Sequence, residues 1–483
     1  MRRKCTDSLI HWKKNSNRKP LILQGLRQTG KTWLLIDFGN KQYEHTLYIN
    51  LETDQPVIDY LTTSLDTQEA LLFLETYADK PLRPSTSLLI LDNIQCLPQI
   101  STLLTAIATD FPQYHIASIA KGVVNSDSYS PHDFDILTLF PLDFEEFLWA
   151  NAEFALAREI RTHFTSFESL GKKLHERAMT QFRLYQIIGG MPAAIMEYKK
   201  EKKLLMVPDV QQKLLDLFLN DITTLAPKGT ARHCRNSWLS IPAQLGRTSR
   251  KFQYTRITKG ATAKVYYEPL QWLIRSGLIL PCHEISAETL NQSFAHTSPA
   301  NTPALFALSG NQTIAHTLTS AESAATITPH LYPIDTGLCS RILKVPACQL
   351  LSGQESIANT ACTETFLAQQ FTQKGYTLSY WTSGNQAEVP FLLSGNNRLI
   401  AIDYRTTPHQ KCRNLIRLHA ALSNTSIHHT ITHTSSSSPD QKSSTPSSTS
   451  YLSGIEQMYL LSVEDFKQKE NYRIIPVYAA FCI

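Results

Sequence analysis

The sequence predicts an α/β fold with a mainly parallel sheet at its N-terminal end, and three observations predict it. Short apolar runs alternate with amphipathic stretches from residue 19 to 150; one run feeds a glycine-punctuated loop that opens a helix; another carries four aliphatic residues into an aspartate. Such alternation places helices on both faces of a parallel sheet, so its strands read as unbroken apolar runs. In order, the strand runs are PLILQG (20–25), HTLYINLE (45–52), SLLILDNI (87–94), YHIASIA (114–120) and DILTLFPL (135–142). Helical spacing between them fits 31–42, 66–78 and 98–110.

At 483 residues the chain exceeds one ordinary domain and is expected to divide into roughly three. With 42% hydrophobic and 18% charged residues it can bury substantial cores, which excludes a wholly disordered protein. The net charge of +5 is small for this length and neither demands nor excludes a nucleic-acid partner. The longest aliphatic runs, such as Leu88 to Leu91, are too short to span a bilayer, and the basic opening has no apolar core of signal-peptide length. Nine scattered cysteines without a CxxC pair read as reduced thiols, so a cytoplasmic protein without a membrane partner is expected.

Beyond residue 150 the expected order is a helical and winged-helix-like domain (151–285), a polar insertion or linker (286–330) and a final α/β domain (331–483). Residues 1–18 are expected to form an N-terminal helical extension, and 19–150 the parallel-sheet α/β domain. EEFLWANAEFALAREIRTHF reads as one helical stretch; a second helix reaches Ile188; GGMPAA (189–194) breaks the period; and Pro208 sits in the first turn of the next helix. Residues 234–280 read as two or three short helices and a return strand, GLILP. The last domain is interrupted at about 424–452 by a tract in which 11 of the 16 residues from Ser435 to Ser450 are Ser or Thr, too polar to form a core.

The strongest chemical signal is Gly25-Leu-Arg-Gln28-Thr29-Gly30-Lys31-Thr32, a GxxxxGK[ST] run between an apolar strand and an amphipathic helix. Glycines let backbone N–H groups converge on phosphate oxygens, and the helix N-terminus adds positive potential. Lys31 is expected on the β- and γ-phosphates and the Thr32 hydroxyl on Mg²⁺. The run Leu88-Leu-Ile-Leu91-Asp92 supplies the acid that orders the metal. Asn93 follows, where hydrolysing relatives carry the acid that polarises water. An amide positions water without accepting its proton, and a missing general base costs about 10²–10⁴-fold in rate. Glu52, ending the second strand run, is the candidate replacement; the competing reading is a surface carboxylate or helix-entry residue.

With RKPLILQGLRQTGKTWLL (18–35), YINLE, Asp92-Asn93-Ile94-Gln95, LTLFPLDFEEFLWA (137–150), GGMPAAI (189–195), KFQYTRITKGATAKVYYEPLQWLIRSGLI (251–279) and ETFLAQQF…YWTSGNQAEVPFLL in view, the chain resembles a family of prokaryotic AAA-type ATPases with a C-terminal domain of unknown function. The resemblance implies an AAA-type P-loop NTPase fold, a helical and winged-helix middle, and a restriction-endonuclease-like α/β tail, with ATP and Mg²⁺ as ligands. It also aligns Ala120-Lys121 to a pair that senses the γ-phosphate in relatives. Of the tail's nuclease constellation, Glu364 and Glu388 remain, but Pro390 stands at the aspartate position and Asp403-Tyr404-Arg405 replaces the E-x-K triplet. Proline offers no ligand and arginine is a poor proton acceptor, so a degenerate nuclease fold is expected.

The expected function is therefore an ATP-binding switch with weak or lost hydrolysis. The alternatives are an active ATPase using Glu52 and a non-catalytic interaction or nucleic-acid-binding scaffold; the partner and oligomeric state stay open. His428, His429 and His433 read as a polar loop, Lys199–Lys203 as a solvated helix end, and Trp149, Trp238, Trp272 and Trp381 as core anchors.

Overall fold

The computed structural model describes residues 1–63, 66–122, 129–247, 250–286, 289–290, 329–384, 386–395, 398–405, 412–422 and 455–483. Most of the polar insertion, the whole Ser/Thr tract and His428, His429 and His433 lie outside the described residues.

The chain divides into two compact units: residues 1–152, 188–228 and 270–279 make the first, and 153–187, 229–269 and 280–483 the second. Two of its breaks, after residues 152 and 279, fall near the boundaries expected at 150 and 285, while each unit gathers three stretches of chain.

In the first unit, β1 (Leu21–Gln24), β2 (His45–Asn50), β3 (Ser87–Asp92), β4 (His115–Ile119) and β5 (Asp135–Thr138) form one sheet in the order β2-β3-β4-β1-β5. Every pairing is parallel. Side chains alternate between the faces with period two. Leu21, Leu23, Leu88 and Ile90 pack with Leu9 and Trp12 of α1 (Cys5–Lys14) and with Leu34, Leu35 and Phe38 of α2 (Lys31–Gln42). Ile22, Leu47, Ile49, Leu89 and Leu91 face the other way, toward α3 (Gln55–Thr63), α4 (Thr67–Ala78) and α5 (Ile100–Asp110). Burial on both faces is why these strands lack polar alternation. The helices at 31–42, 66–78 and 98–110 appear within two residues of expectation; α3 is additional.

The stretch expected as one helix from Glu145 is two, Phe144–Ala150 and Phe154–Ser166. The chain breaks at Ala152, whose φ is 64°. The first of these helices opens with a capping box, Asp143 accepting from the Glu146 N–H and Glu146 from the Asp143 N–H. The break at 189–191 separates helix Lys172–Ile188 from Pro192–Glu201, and Pro208 lies in the first turn of Val207–Leu225.

The second unit holds an eight-stranded sheet in the order β12-β13-β11-β10-β9-β8-β6-β7. Its strands are β6 (Ile279–Glu284), β7 (His330–Pro333), β8 (Thr377–Thr382), β9 (Glu388–Gly395), β10 (Arg398–Tyr404), β11 (Gln457–Ser462), β12 (Lys467–Gln468) and β13 (Arg473–Pro476). β8, β9 and β10 run antiparallel in succession, and β11 joins β10 in parallel. The return strand expected after the short helices Ala231–Gln244 and Ala263–Arg275 is β6, which pairs with β8. Helix Ile357–Gln373 is buried along most of its length, and a helix over 413–422 packs Leu415, Leu418 and Leu422 with Val389, Leu392 and Ala401 of the sheet.

Among the described residues no helix is long and apolar enough to cross a membrane.

Candidate functional site

The loop between β1 and α2 is fixed by its backbone. Gly25 has φ 135°, and a Cβ there would lie 2.4 Å from the Leu139 carbonyl oxygen, so no side chain fits. It exchanges two hydrogen bonds with Gly122, Gly25 N–H to Gly122 O at 2.9 Å and the reverse at 3.0 Å. Gly30 has φ 90° with nothing within 4 Å of its missing Cβ; backbone conformation, not space, requires glycine there. Gln28 also has positive φ, 66°, and the buried Thr29 hydroxyl donates to Leu26 O at 2.9 Å.

Lys31 folds back on the loop, its Nζ donating to Gly25 O at 2.8 Å and Leu26 O at 2.9 Å. Burial lowers its pKa to about 8, with Lys121 and Arg27 adding to the shift and the nearby Asp92 opposing it. The Thr32 hydroxyl donates to Asp92 Oδ2 at 2.8 Å, joining the first turn of α2 to the end of β3. Tyr48 OH donates to the same oxygen at 3.0 Å. The donor set fits a magnesium nucleotide: a backbone cradle, a primary ammonium, and hydroxyl and carboxylate oxygens of the hard type Mg²⁺ prefers.

Asn93 directly follows β3 with φ 61°, a left-handed conformation that asparagine tolerates better than most residues. Its Nδ2 donates to Asn50 Oδ1 at 2.7 Å, and Gln95 Nε2 donates to Asn93 Oδ1 at 3.4 Å. Gln95 in turn accepts from the Lys121 N–H at 3.3 Å. β2 and β3 are adjacent, with Asn50 opposite Asp92. Glu52 lies two residues past β2 with its side chain about half exposed (51%), paired with Lys121 Nζ at 2.8 Å. That hydrogen bond holds the Glu52 carboxyl below the usual carboxylate range. Glu52 and Asn93 meet at Asn50, whose Oδ1 also accepts the Glu52 N–H at 3.0 Å.

The cations that brace the loop from outside the motif come from the chain's first residues. Arg3, almost fully buried, donates to Thr29 O at 3.0 Å, Phe140 O at 2.6 Å and Glu146 Oε1 at 3.2 Å. Lys4 pairs with Asp143 and Glu145, and Arg2 lies over the Trp149 ring. The acidic block DFEE is thus a receptor for the N-terminal cations. Arg27, inside the loop, pairs with Asp221 at 2.8 Å. The sequence signal for Arg3 was present, a basic triplet and a distant acidic block, but nothing local joined them.

In the second unit Glu364 and Glu388 do come together, through a residue the motif did not include. Arg250 Nε donates to Glu364 Oε1 at 2.5 Å and its Nη1 to Glu388 Oε1 at 2.6 Å. Tyr404 OH donates to the same Glu364 oxygen. Asp403 takes a different partner, Arg405, at 2.9 and 2.7 Å, and burial raises its pKa against that attraction. Among the described residues no group of three His, Cys, Asp or Glu side chains could hold a metal. With Arg250 bonded to both glutamates, the remnants do not fit the divalent metal that a nuclease resemblance implies. Pro390 contributes only its carbonyl, which accepts from the Cys282 thiol. Of the basic run, Lys200 pairs with Glu197 and Lys203 with Glu201, while Lys202 donates to Asn151. Trp238 and Trp381 are buried, as core anchors are.

Residues 17–148 match a family described as an AAA domain, and residues 179–299 match a domain of unknown function, DUF8612. No curated protein matches. Among solved structures, the chain is similar to a Walker-type ATPase of Pyrococcus abyssi at TM-score 0.38 and 13% identity, over 58% of this chain and 90% of that one. Similarity to Aeropyrum pernix Orc1 in complex with DNA has TM-score 0.28 and 12% identity, over 72% and 92%. For AMPPCP-bound DnaA from Aquifex aeolicus the values are 0.26 and 12%, over 56% and 86%. The N-terminal region is an AAA-type ATPase-like domain.

Proposed function

From an AAA-type domain over residues 17–148 as premise, we propose that the chain is an ATP- and Mg²⁺-binding switch whose hydrolysis is weak or lost. The observation that carries this reading is Asn93: it directly follows the Asp92 strand and its amide is committed to Asn50 at 2.7 Å. No proton acceptor stands in its place. Gly25, Gln28, Thr29 and Gly30 line the cradle, Lys31 meets phosphate, and Thr32 with Asp92 holds the metal. When bound, the metal supplies charge neutralisation between phosphate oxygens. Lys31 Nζ spends two of its three N–H donors on the Gly25 and Leu26 carbonyls, and the third is the one to meet a phosphate oxygen.

The test is Mg²⁺-dependent phosphate release from ATP, with nucleotide affinity measured in parallel, for the protein and Lys31→Ala. Tight binding that Lys31→Ala abolishes, with release no faster than in the variant, is the expected result. Rapid release lost in Lys31→Ala overturns the switch and favours an ATPase. That second reading has one observation behind it, the meeting of Glu52 with Asn93 at Asn50. Glu52→Gln decides it, because an unchanged non-zero rate removes Glu52 from the chemistry. Absence of nucleotide binding leaves the scaffold reading, which salt-dependent binding of DNA or RNA then examines.

The order helix 357–373, β8, β9, β10, helix 413–422, β11 supports a degenerate nuclease-type core in the tail, kept for structure or for binding a protein or nucleic-acid partner.

A further inference from the structure

The second unit carries a charged centre that the nucleotide reading does not use. Arg250, Glu364, Glu388 and Tyr404 come from four separate stretches of chain and converge on one guanidinium. Nε and Nη1 each take a carboxylate oxygen, and Nη2 points at Tyr404 OH at 3.4 Å. Burial opposes charge on Arg250, yet Glu364, the Tyr404 oxygen and Glu388 more than offset it and hold its pKa well above the ordinary arginine value. Glu364 is fully buried, and its second oxygen, Oε2, has no hydrogen-bond partner among the described residues. A desolvated carboxylate oxygen left without a donor is costly, and it marks a place where a cation belongs. The two carboxylates carry two negative charges, which one guanidinium only half balances and a divalent ion in its place would balance fully. The His330 imidazole does not supply positive charge, since burial, with Arg250 and Lys251, holds its pKa well below the usual histidine range.

We propose that Glu364 and Glu388 form a site for a hard divalent cation that this chain fills with its own cation, Arg250. The guanidinium is a tethered substitute: it cross-links the helix bearing Glu364 to the strand bearing Glu388, as a metal would, and keeps the metal out. The centre is thereby structural in the native chain, and divalent cations bind there only after Arg250 is removed.

The experiment counts bound Mn²⁺ by electron paramagnetic resonance on the full chain without nucleotide, and follows thermal unfolding with and without Mn²⁺. Arg250→Met keeps the stem and removes the charge. The expected result is one more Mn²⁺ in Arg250→Met than in the native protein, a lowered Tm that Mn²⁺ recovers, and loss of both effects in Arg250→Met/Glu388→Gln. An unchanged Mn²⁺ count in folded Arg250→Met overturns the proposal, as does a gain that survives Glu388→Gln. Should Arg250→Met fail to fold, Glu388→Gln alone decides. The proposal requires its Mn²⁺ count to equal that of the native protein, and a fall would show that metal already binds there. Mn²⁺ bound at Thr32 and Asp92 contributes equally to every variant, so the result stands apart from the nucleotide reading.

Discussion

Lys31 gives the sharpest prediction, because its charge is conditional. In the free protein it is almost fully buried against two carbonyls, and its pKa falls from 10.5 to about 8. Phosphate oxygens favour the ammonium form, so the bound state restores the proton. Below pH 8 the lysine is already charged and affinity is flat. Above pH 8 each further pH unit removes the proton from nine-tenths of the remaining sites, and binding must take one up. The dissociation constant for ATP therefore rises about tenfold per unit, or roughly 1.4 kcal/mol, until the bound-state pKa is reached. Calorimetry in two buffers of different ionisation enthalpy measures both the affinity and the proton taken up per nucleotide at pH 9. An affinity constant from pH 7 to 9.5, with no proton uptake, refutes the argument. The sign for folding agrees. A lysine pKa depressed in the native state contributes stability that is complete above 10.5 and lost as pH falls to about 8. Nucleotide-free protein is thus expected to gain stability over that alkaline window, and Lys31→Met to lose the gain.

Other outcomes follow from the same geometry. Asn93→Glu restores a proton acceptor and is expected to raise ATP turnover about 10²–10⁴-fold over the native rate. It also costs roughly 2 kcal/mol of stability for the left-handed backbone and the lost bond to Asn50, measurable by urea unfolding. Arg3→Met strips the cation from the buried Glu146 carboxylate, at roughly 3 kcal/mol, which lowers Tm by roughly 6–12 °C in a scanning melt. It also loosens the Thr29 carbonyl, so ATP affinity falls with it. Gly25→Ala drives a methyl into the Leu139 carbonyl and is expected to lose roughly 3 kcal/mol together with nucleotide binding, followed by unfolding and nucleotide titration.

The parts of this fold that could be read from residues alone are those in which local pattern and packing agree. Strands β1 to β5 show as apolar runs because helices cover both faces, and the loop from Gly25 to Thr32 shows because its backbone demands glycine at fixed places. Helix α3 stayed hidden, nine residues long with only Val57 and Leu61 fully buried. The partners of the acids were invisible for another reason. Arg250 lies 114 residues from Glu364, and Arg3 lies 143 from Glu146, so no spacing rule links them. Tyr48 carries no sequence signal because it occupies the exposed phase of a largely buried strand, where an aromatic belongs to no motif. Glu52 was legible as the acid near β2, but its pairing with Lys121 was not, since that contact depends on two strand ends emerging at one edge.

The sheet order has a consequence for how the chain is made. β1, which launches the phosphate loop, pairs with β4 and β5, whose residues lie about a hundred positions downstream. During synthesis from the N-terminus, Leu21–Gln24 emerges early and waits, one edge open until Ile119 and the other until Thr138 has left the ribosome. The first unit waits longer still, because residues 188–228 and 270–279 belong to its packing. The leading half of the translated chain must therefore be held unfinished while part of the second unit is already outside, and a stop placed after residue 152 releases an apolar sheet without its complement.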